Sequence, residues 1–339
     1  MPEGEQDPEQ LAALRGAALG YKPAQAIARR QKDTGLWGGN LLAPAPSKAL
    51  GASEPGTVAQ YRRLLELGWP PDQRPFRVAD RFLFRLLSRD EDPALLVEFQ
   101  RPAKTEPALG AWARSMGRQA ASAALARAGV HAEDPRLRGA AHRIASDISQ
   151  YLRSELIHKP FKKAHGKTVL EPTAYPPTTF AIDMLAFLPA VQRERAGFIE
   201  RLGQYFSSPA PRRAFSILAG KKLLKPMFEL LGDPLRADAT GHVRDIPFAL
   251  YWLELMARLG LARQVVSASR TLARLFSECD EQGIWSPKNL RALPKSSSPV
   301  TAYYFPLEGP GKSPAQRQTD ATFRLALIAR LMGIPVEVV

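Results

Sequence analysis

The sequence predicts an all-α protein built from paired helices, and three observations carry that reading. Thirty prolines and 24 glycines cut the 339-residue chain into segments of helical length. Period-2 alternation bounded by hairpin signals is nearly absent, so no strand is expected. Apolar residues recur at helical spacing in two patterns, one wrapping almost the whole helix and one confined to a stripe.

Taken in order, the first striped helix is 137–152, with Leu137, Ala141, Ile144, Ile148, Tyr151 and Leu152 on one face. Segment 179–188 is apolar nearly all round, with Asp183 as its one charge, and belongs inside a helical body. A striped partner follows at 192–206 through Phe198, Ile199, Leu202, Tyr205 and Phe206. Segment 248–259 repeats the inner pattern, with only Glu254 and Arg258 charged, and 264–278 repeats the striped one. A last apolar helix is expected over 320–332. Leu67-Gly68-Trp69, Leu259-Gly260-Leu261 and Met332-Gly333-Ile334 each place Gly after an apolar helix and an apolar residue after Gly, the pattern of a left-handed helix stop. Pro176-Pro177-Thr178-Thr179 and Asp245-Ile246-Pro247 mark helix starts. Stretches 43–55, 207–213 and 286–316 read as loops, the last long enough to suggest function or motion.

Composition narrows the class. An apolar content of 45% excludes a wholly disordered chain. The single cysteine, Cys279, excludes an intramolecular disulfide and a Cys-rich zinc site. No apolar run reaches about 18 residues, so no transmembrane helix is expected. Residues 1–10 carry four acids and no base, the opposite of a secretory leader, and are expected to be an acidic disordered N-terminus. The remainder, 11–339, reads as one helical domain, with a cytoplasmic location as the default.

Two loops match across 248 residues: Asp33-Thr34-Gly35-Leu36-Trp37 and Glu281-Gln282-Gly283-Ile284-Trp285. Each follows a striped helix and leads to an apolar one. Gly permits a tight reversal, and Trp packs over helix ends with its indole N–H on a carbonyl or water. This acid-x-Gly-aliphatic-Trp turn resembles the Gln/Gly/Trp repeat of the squalene cyclase and protein prenyltransferase superfamily. The resemblance implies an α/α toroid, a complete or incomplete ring of hairpins with inner and outer helices. It implies no activity here. The cyclase Asp-x-Asp-Asp motif is absent, with Asp90-Glu91-Asp92 and Thr319-Asp320-Ala321-Thr322 the nearest strings. The prenyltransferase Asp/Cys/His zinc set is missing as well, and neither a metal nor a cofactor is expected.

Several residues invite chemistry. Asp320, read as the start of the last helix, is first an N-cap and second an acid at a cavity mouth. Asp245, before Pro247, has the same two readings. Asp183, a lone carboxylate in an apolar helix, is either paired structurally or a catalytic acid. Trp37, Trp285, Tyr175, Tyr303 and Tyr304 are candidate ligand-lining aromatics beside Pro-rich turns, with packing as the plainer reading. The histidines show no metal spacing, and no phosphate loop or nucleophile elbow is present.

The formal net charge is +14, and it is partly local. Arg153, Lys159, Lys162, Lys163 and Lys167 oppose only Glu155, while Arg212, Arg213, Lys221, Lys222 and Lys225 oppose no acid. Such clusters attract phosphates or line a solvated face. Two functional expectations follow. One is a toroid holding an apolar or carbohydrate-like ligand in a central cavity, with or without catalysis. The other is a basic helical scaffold for nucleic acid or another anionic partner, which requires 153–167 and 212–225 to form one surface.

Overall fold

The computed structural model describes residues 8–47, 52–88, 92–285, 292–307 and 313–336. They form thirteen α-helices and four short strands, in two compact units, Met1–Leu137 and Arg138–Val339. The all-α class expected from periodicity is therefore met in its main content. No helix among the described residues is long and apolar enough to cross a membrane.

The first unit contains α1 (Pro8–Gly20), α2 (Lys22–Arg29), α3 (Thr57–Glu66), α4 (Arg74–Leu87), α5 (Gln100–Thr105) and α6 (Pro107–Ala128). Of the acidic segment 1–10, residues 8–10 begin α1 and the rest lie outside the described residues. α6 packs on both α3 and α4. Its buried face is mostly alanine, with Ala120, Ala121 and Ala126 at 0% exposure, so neighbouring helices approach closely. Tyr61, Leu64, Phe76 and Leu83 fill the space between.

The second unit runs through α7 (Pro135–Leu152), β1 (Phe161–Ala164), β2 (Lys167–Leu170), α8 (Thr179–Ala186), α9 (Pro189–Glu194) and α10 (Ala196–Phe206). β3 (Ile217–Ala219), β4 (Lys222–Leu224), α11 (Ile246–Arg258), α12 (Val266–Ser277) and α13 (Pro314–Leu331) complete it. α11 packs between α8 and α13, and every residue from 249 to 257 is buried, as its all-round apolar pattern requires.

Three local expectations need correction. Strands are present, because hairpins of three and four residues are too short to show alternation. The helix read over 192–206 is two, broken at Arg195 (φ −126°, ψ 37°). The last helix starts at Pro314 rather than Asp320. Its first turns are polar, so apolar periodicity missed them and assigned 314–316 to the loop; Ser313 Oγ accepts the Gln316 N–H at 3.2 Å and caps the helix.

The three Gly stops behave alike. Gly68, Gly260 and Gly333 have φ of 78°, 71° and 74°. The apolar residue after each donates its N–H back into the helix, Trp69 to Leu64 O (3.1 Å), Leu261 to Met256 O (2.8 Å) and Ile334 to Ala329 O (3.0 Å). That is the 6→1 bond of a Schellman cap.

The two Trp turns are the same structure twice. Gly35 N–H donates to Lys32 O and Lys32 N–H to Leu36 O, both at 2.9 Å; Gly283 N–H to Asp280 O and Asp280 N–H to Ile284 O repeat those distances. Trp37 N–H reaches Thr57 Oγ1 at 3.0 Å, and Trp285 N–H reaches Thr322 Oγ1 at 3.0 Å. Each threonine lies on the helix that follows, so each turn is pinned to the next helix. The indoles differ: Trp37 Nε1 donates to Ile27 O (2.8 Å), and Trp285 Nε1 to Glu278 Oε2 (3.2 Å).

The packing around the turns differs too. A Cβ on Gly35 would sit 2.7 Å from Val78 O on α4, whereas one on Gly283 would meet nothing within 4 Å. Both glycines have positive φ, 88° and 75°. Gly283→Ala should cost about 1–2 kcal/mol for the left-handed backbone, and Gly35→Ala distinctly more; urea denaturation measures both, and equal losses would contradict the contact. Leu253→Ala, at a site with 0% exposure, should cost about 2–5 kcal/mol by the same measurement.

Candidate functional site

The structure brings the two basic segments together. β1 and β2 pair antiparallel around His165-Gly166, both with positive φ (50° and 70°), as a two-residue type I′ turn demands. β3 and β4 pair around Gly220-Lys221, with Gly220 at φ 62°, the Gly-first pattern of a type II′ turn. A parallel bridge between Val169 and Ser216 then joins the hairpins. Leu170 N–H donates to Ser216 O at 2.9 Å, and Ser216 N–H to Thr168 O at 3.1 Å. The Phe161 and Phe215 rings meet at 5.2 Å across the seam.

This ribbon is anchored from below and charged at its edges. Val169, Leu170, Ile217 and Ala219 are buried. The chain leaving β4 returns to α8, where Thr179 N–H donates to Phe228 O and Leu230 N–H to Pro177 O, both at 2.8 Å. Arg153, Lys159, Lys162, Lys163, Lys167, Arg212, Arg213, Lys221, Lys222 and Lys225 are all exposed. Lys162 pairs with Glu171 at 3.2 Å, and Lys163 Nζ donates to Thr168 Oγ1 at 3.3 Å. Among the described residues, Lys159, Lys163, Lys167, Arg212, Arg213, Lys222 and Lys225 make no ion pair within 4.0 Å. Such bases gathered around a short ribbon raise the local potential and suit phosphates.

Two of the predicted acids accept backbone N–H groups, Asp245 as the expected cap and Asp320 otherwise. Asp245 caps α11, accepting the Phe248 N–H at 2.9 Å through Oδ1. Its Oδ2 accepts from Ser297 N–H (2.7 Å), Ser298 N–H (3.0 Å) and the Ser296 and Ser297 hydroxyls (3.0 and 2.7 Å). Asp320 is not the expected cap. It sits inside α13 at 2% exposure, and its Oδ2 accepts the Leu307 N–H at 2.7 Å. Arg317 and Arg324, on the same helix face, are also buried. Asp183 lies buried on α8 at 5% exposure.

The aromatics divide. Trp37 and Trp285 are buried turn pins. Tyr304 is buried, with the Arg324 guanidinium 4.0 Å from its ring centre and Tyr251 edge-on at 6.4 Å. Tyr175 and Tyr303 are exposed. Parts of the loop read over 286–316, residues 286–291 and 308–312, lie outside the described residues.

Two polar constellations escaped the sequence reading. On α4, buried Asp80 accepts from the Tyr61 hydroxyl at 2.8 Å and faces His131 Nε2 at 2.8 Å. Burial raises both the Tyr61 phenol and the Asp80 carboxyl above their ordinary values, with His131 opposing the shift at Asp80. Glu98 accepts the N–H groups of Leu41 and Leu42, each at 2.9 Å, and burial raises its carboxyl despite those bonds. The partners are 51 and 57 residues apart, so no spacing rule would pair them. His142 likewise takes Arg195 Nε on Nδ1 (3.0 Å) and so presents its proton on Nε2 to Glu194 (3.0 Å).

No protein-family model, curated protein or solved structure matches the chain.

Glu98 gives a pH test. Its folded value lies above its unfolded one, so the stability it contributes is complete below the unfolded value and declines as pH rises through the folded one. The stability difference between wild type and Glu98→Gln should therefore favour wild type more at pH 3.5 than at pH 7. Urea titrations at the two pH values check this, and a difference growing toward neutral pH would reverse the sign.

Proposed function

We propose that the protein binds a nucleic-acid backbone through the basic β-ribbon of the second unit. The observation that carries this reading is the Val169–Ser216 bridge, which sets two hairpins side by side and so brings the two basic segments next to each other. Seven of its ten bases make no ion pair among the described residues, so their charge is available to phosphate. No motif for reading base edges accompanies the charge, and the binding is therefore backbone-directed and sequence-independent. A cytoplasmic setting goes with this reading, in keeping with the single cysteine.

A second reading is supported by the duplicated Trp turn and by buried charge on adjacent helices. In it, the hairpins form an α/α toroid, and Asp183, Glu254 and Asp320 on α8, α11 and α13 serve a central ligand of apolar or carbohydrate-like character. Extraction of the purified protein followed by mass spectrometry should then recover one such small molecule per chain; recovery of none would remove this reading.

For the ribbon, fluorescence anisotropy with a labelled 20-base-pair duplex is the direct test. Affinity should fall steeply with salt, by roughly 10³ or more between 50 and 200 mM if six phosphates are neutralised. Changing Lys163, Lys167, Lys222 and Lys225 together to Glu should lower the affinity at least about tenfold at 50 mM salt and flatten the salt slope. Binding that survives unchanged, with an intact circular dichroism spectrum, would remove the ribbon from consideration.

A further inference from the structure

A second electropositive feature lies in the first unit and is built differently. Arg74, Arg77 and Arg81 recur at i, i+3 and i+7 along α4 and so share one face. With Val78 and Asp33 they line an open concavity of about 500 Å³ beside the Trp37 turn. The wall of this concavity is fixed. Gln31 Nε2 donates to Pro75 O at 2.7 Å and to Gly35 O at 3.1 Å, tying the turn to the start of α4. Gly35 lies against Val78 O so closely that a Cβ would stand 2.7 Å from it. The matching turn at Gly283 meets no such neighbour, so the contact belongs to this site and not to the repeat.

The charges on the wall are unbalanced. Arg74 reaches Asp33 at 3.6 Å, and both side chains are largely exposed. Arg77 and Arg81 make no ion pair among the described residues. Guanidiniums offer forked donors suited to phosphate oxygens, and a row of three matches a chain of phosphates better than a single one. We infer that this concavity binds a small polyphosphate, held by Arg77 and Arg81, with Arg74 released to it from Asp33. Asp33 then opposes the ligand, and its removal strengthens binding.

Calorimetric titration of the full chain with inorganic tripolyphosphate in low salt tests the site. Wild type should bind. Arg77→Gln with Arg81→Gln should weaken binding roughly a hundredfold, as loss of two charge-assisted contacts implies. Asp33→Asn should tighten it severalfold. The quadruple Glu variant of the β-ribbon should bind tripolyphosphate like wild type, so a failure here and a failure of the nucleic-acid reading are separately visible. No binding by wild type, or equal binding by the double Gln variant with its melting temperature unchanged, would overturn the assignment. Loss of duplex binding in the double Gln variant without loss of tripolyphosphate binding would also overturn it.

Discussion

Carboxylates that accept backbone N–H groups hold the long loops of this protein in place. Loops rich in proline and serine have few ladder bonds of their own, and their unpaired N–H groups need acceptors wherever they are covered. Glu98 supplies them to Leu41 and Leu42, in the loop after the first Trp turn. Asp320 does so for Leu307, in the loop after the second, and Asp245 for Ser297 and Ser298 in the same stretch. A covered carboxylate is costly unless its oxygens are filled, and charge-assisted bonds to N–H groups are among the strongest available. Val97, immediately before Glu98, has φ 46° and ψ −109°, a conformation that a β-branched residue takes only where its surroundings impose it. The strained residue thus adjoins the carboxylate that holds Leu41 and Leu42.

The Trp turns show how one local solution serves two ends. Gly allows the reversal, and a threonine from the following helix accepts the Trp N–H in both copies. The remaining contacts diverge. In the first unit the turn presses on α4 and creates a rigid wall beside a row of arginines. In the second, Gly283 stands clear and the indole is turned to Glu278. A repeated turn therefore ties itself to the following helix in the same way without fixing what surface stands beside it.

The β-ribbon meets an electrostatic demand. Ten bases on and around neighbouring short strands repel one another, and exposed ion pairs contribute little to hold such a surface. Its cohesion comes from uncharged parts: backbone bonds at Leu170 and Ser216, the Phe161–Phe215 contact, and buried Val169 and Ile217. Most of the side-chain charges make no ion pair among the described residues, so they are not consumed in folding.

The sequence by itself determined the elements whose causes are local. The apolar content of 248–259 required a buried helix, and 249–257 are all buried. Gly68, Gly260 and Gly333 announced Schellman stops, and Asp245 announced a cap, because each depends on residues within a turn of itself. Asp320 was misplaced because a polar first turn hides a helix start from apolar periodicity. Both basic segments were visible as composition. Their joining at Val169 and Ser216 was not, since a parallel bridge between residues 47 apart leaves no mark in spacing. The same holds for Tyr61–Asp80–His131, for Glu98 and the loop it grips, and for the arginine row beside Gly35. Periodicity records which face of an element is wet. Which distant residue meets that face is decided by tertiary packing alone.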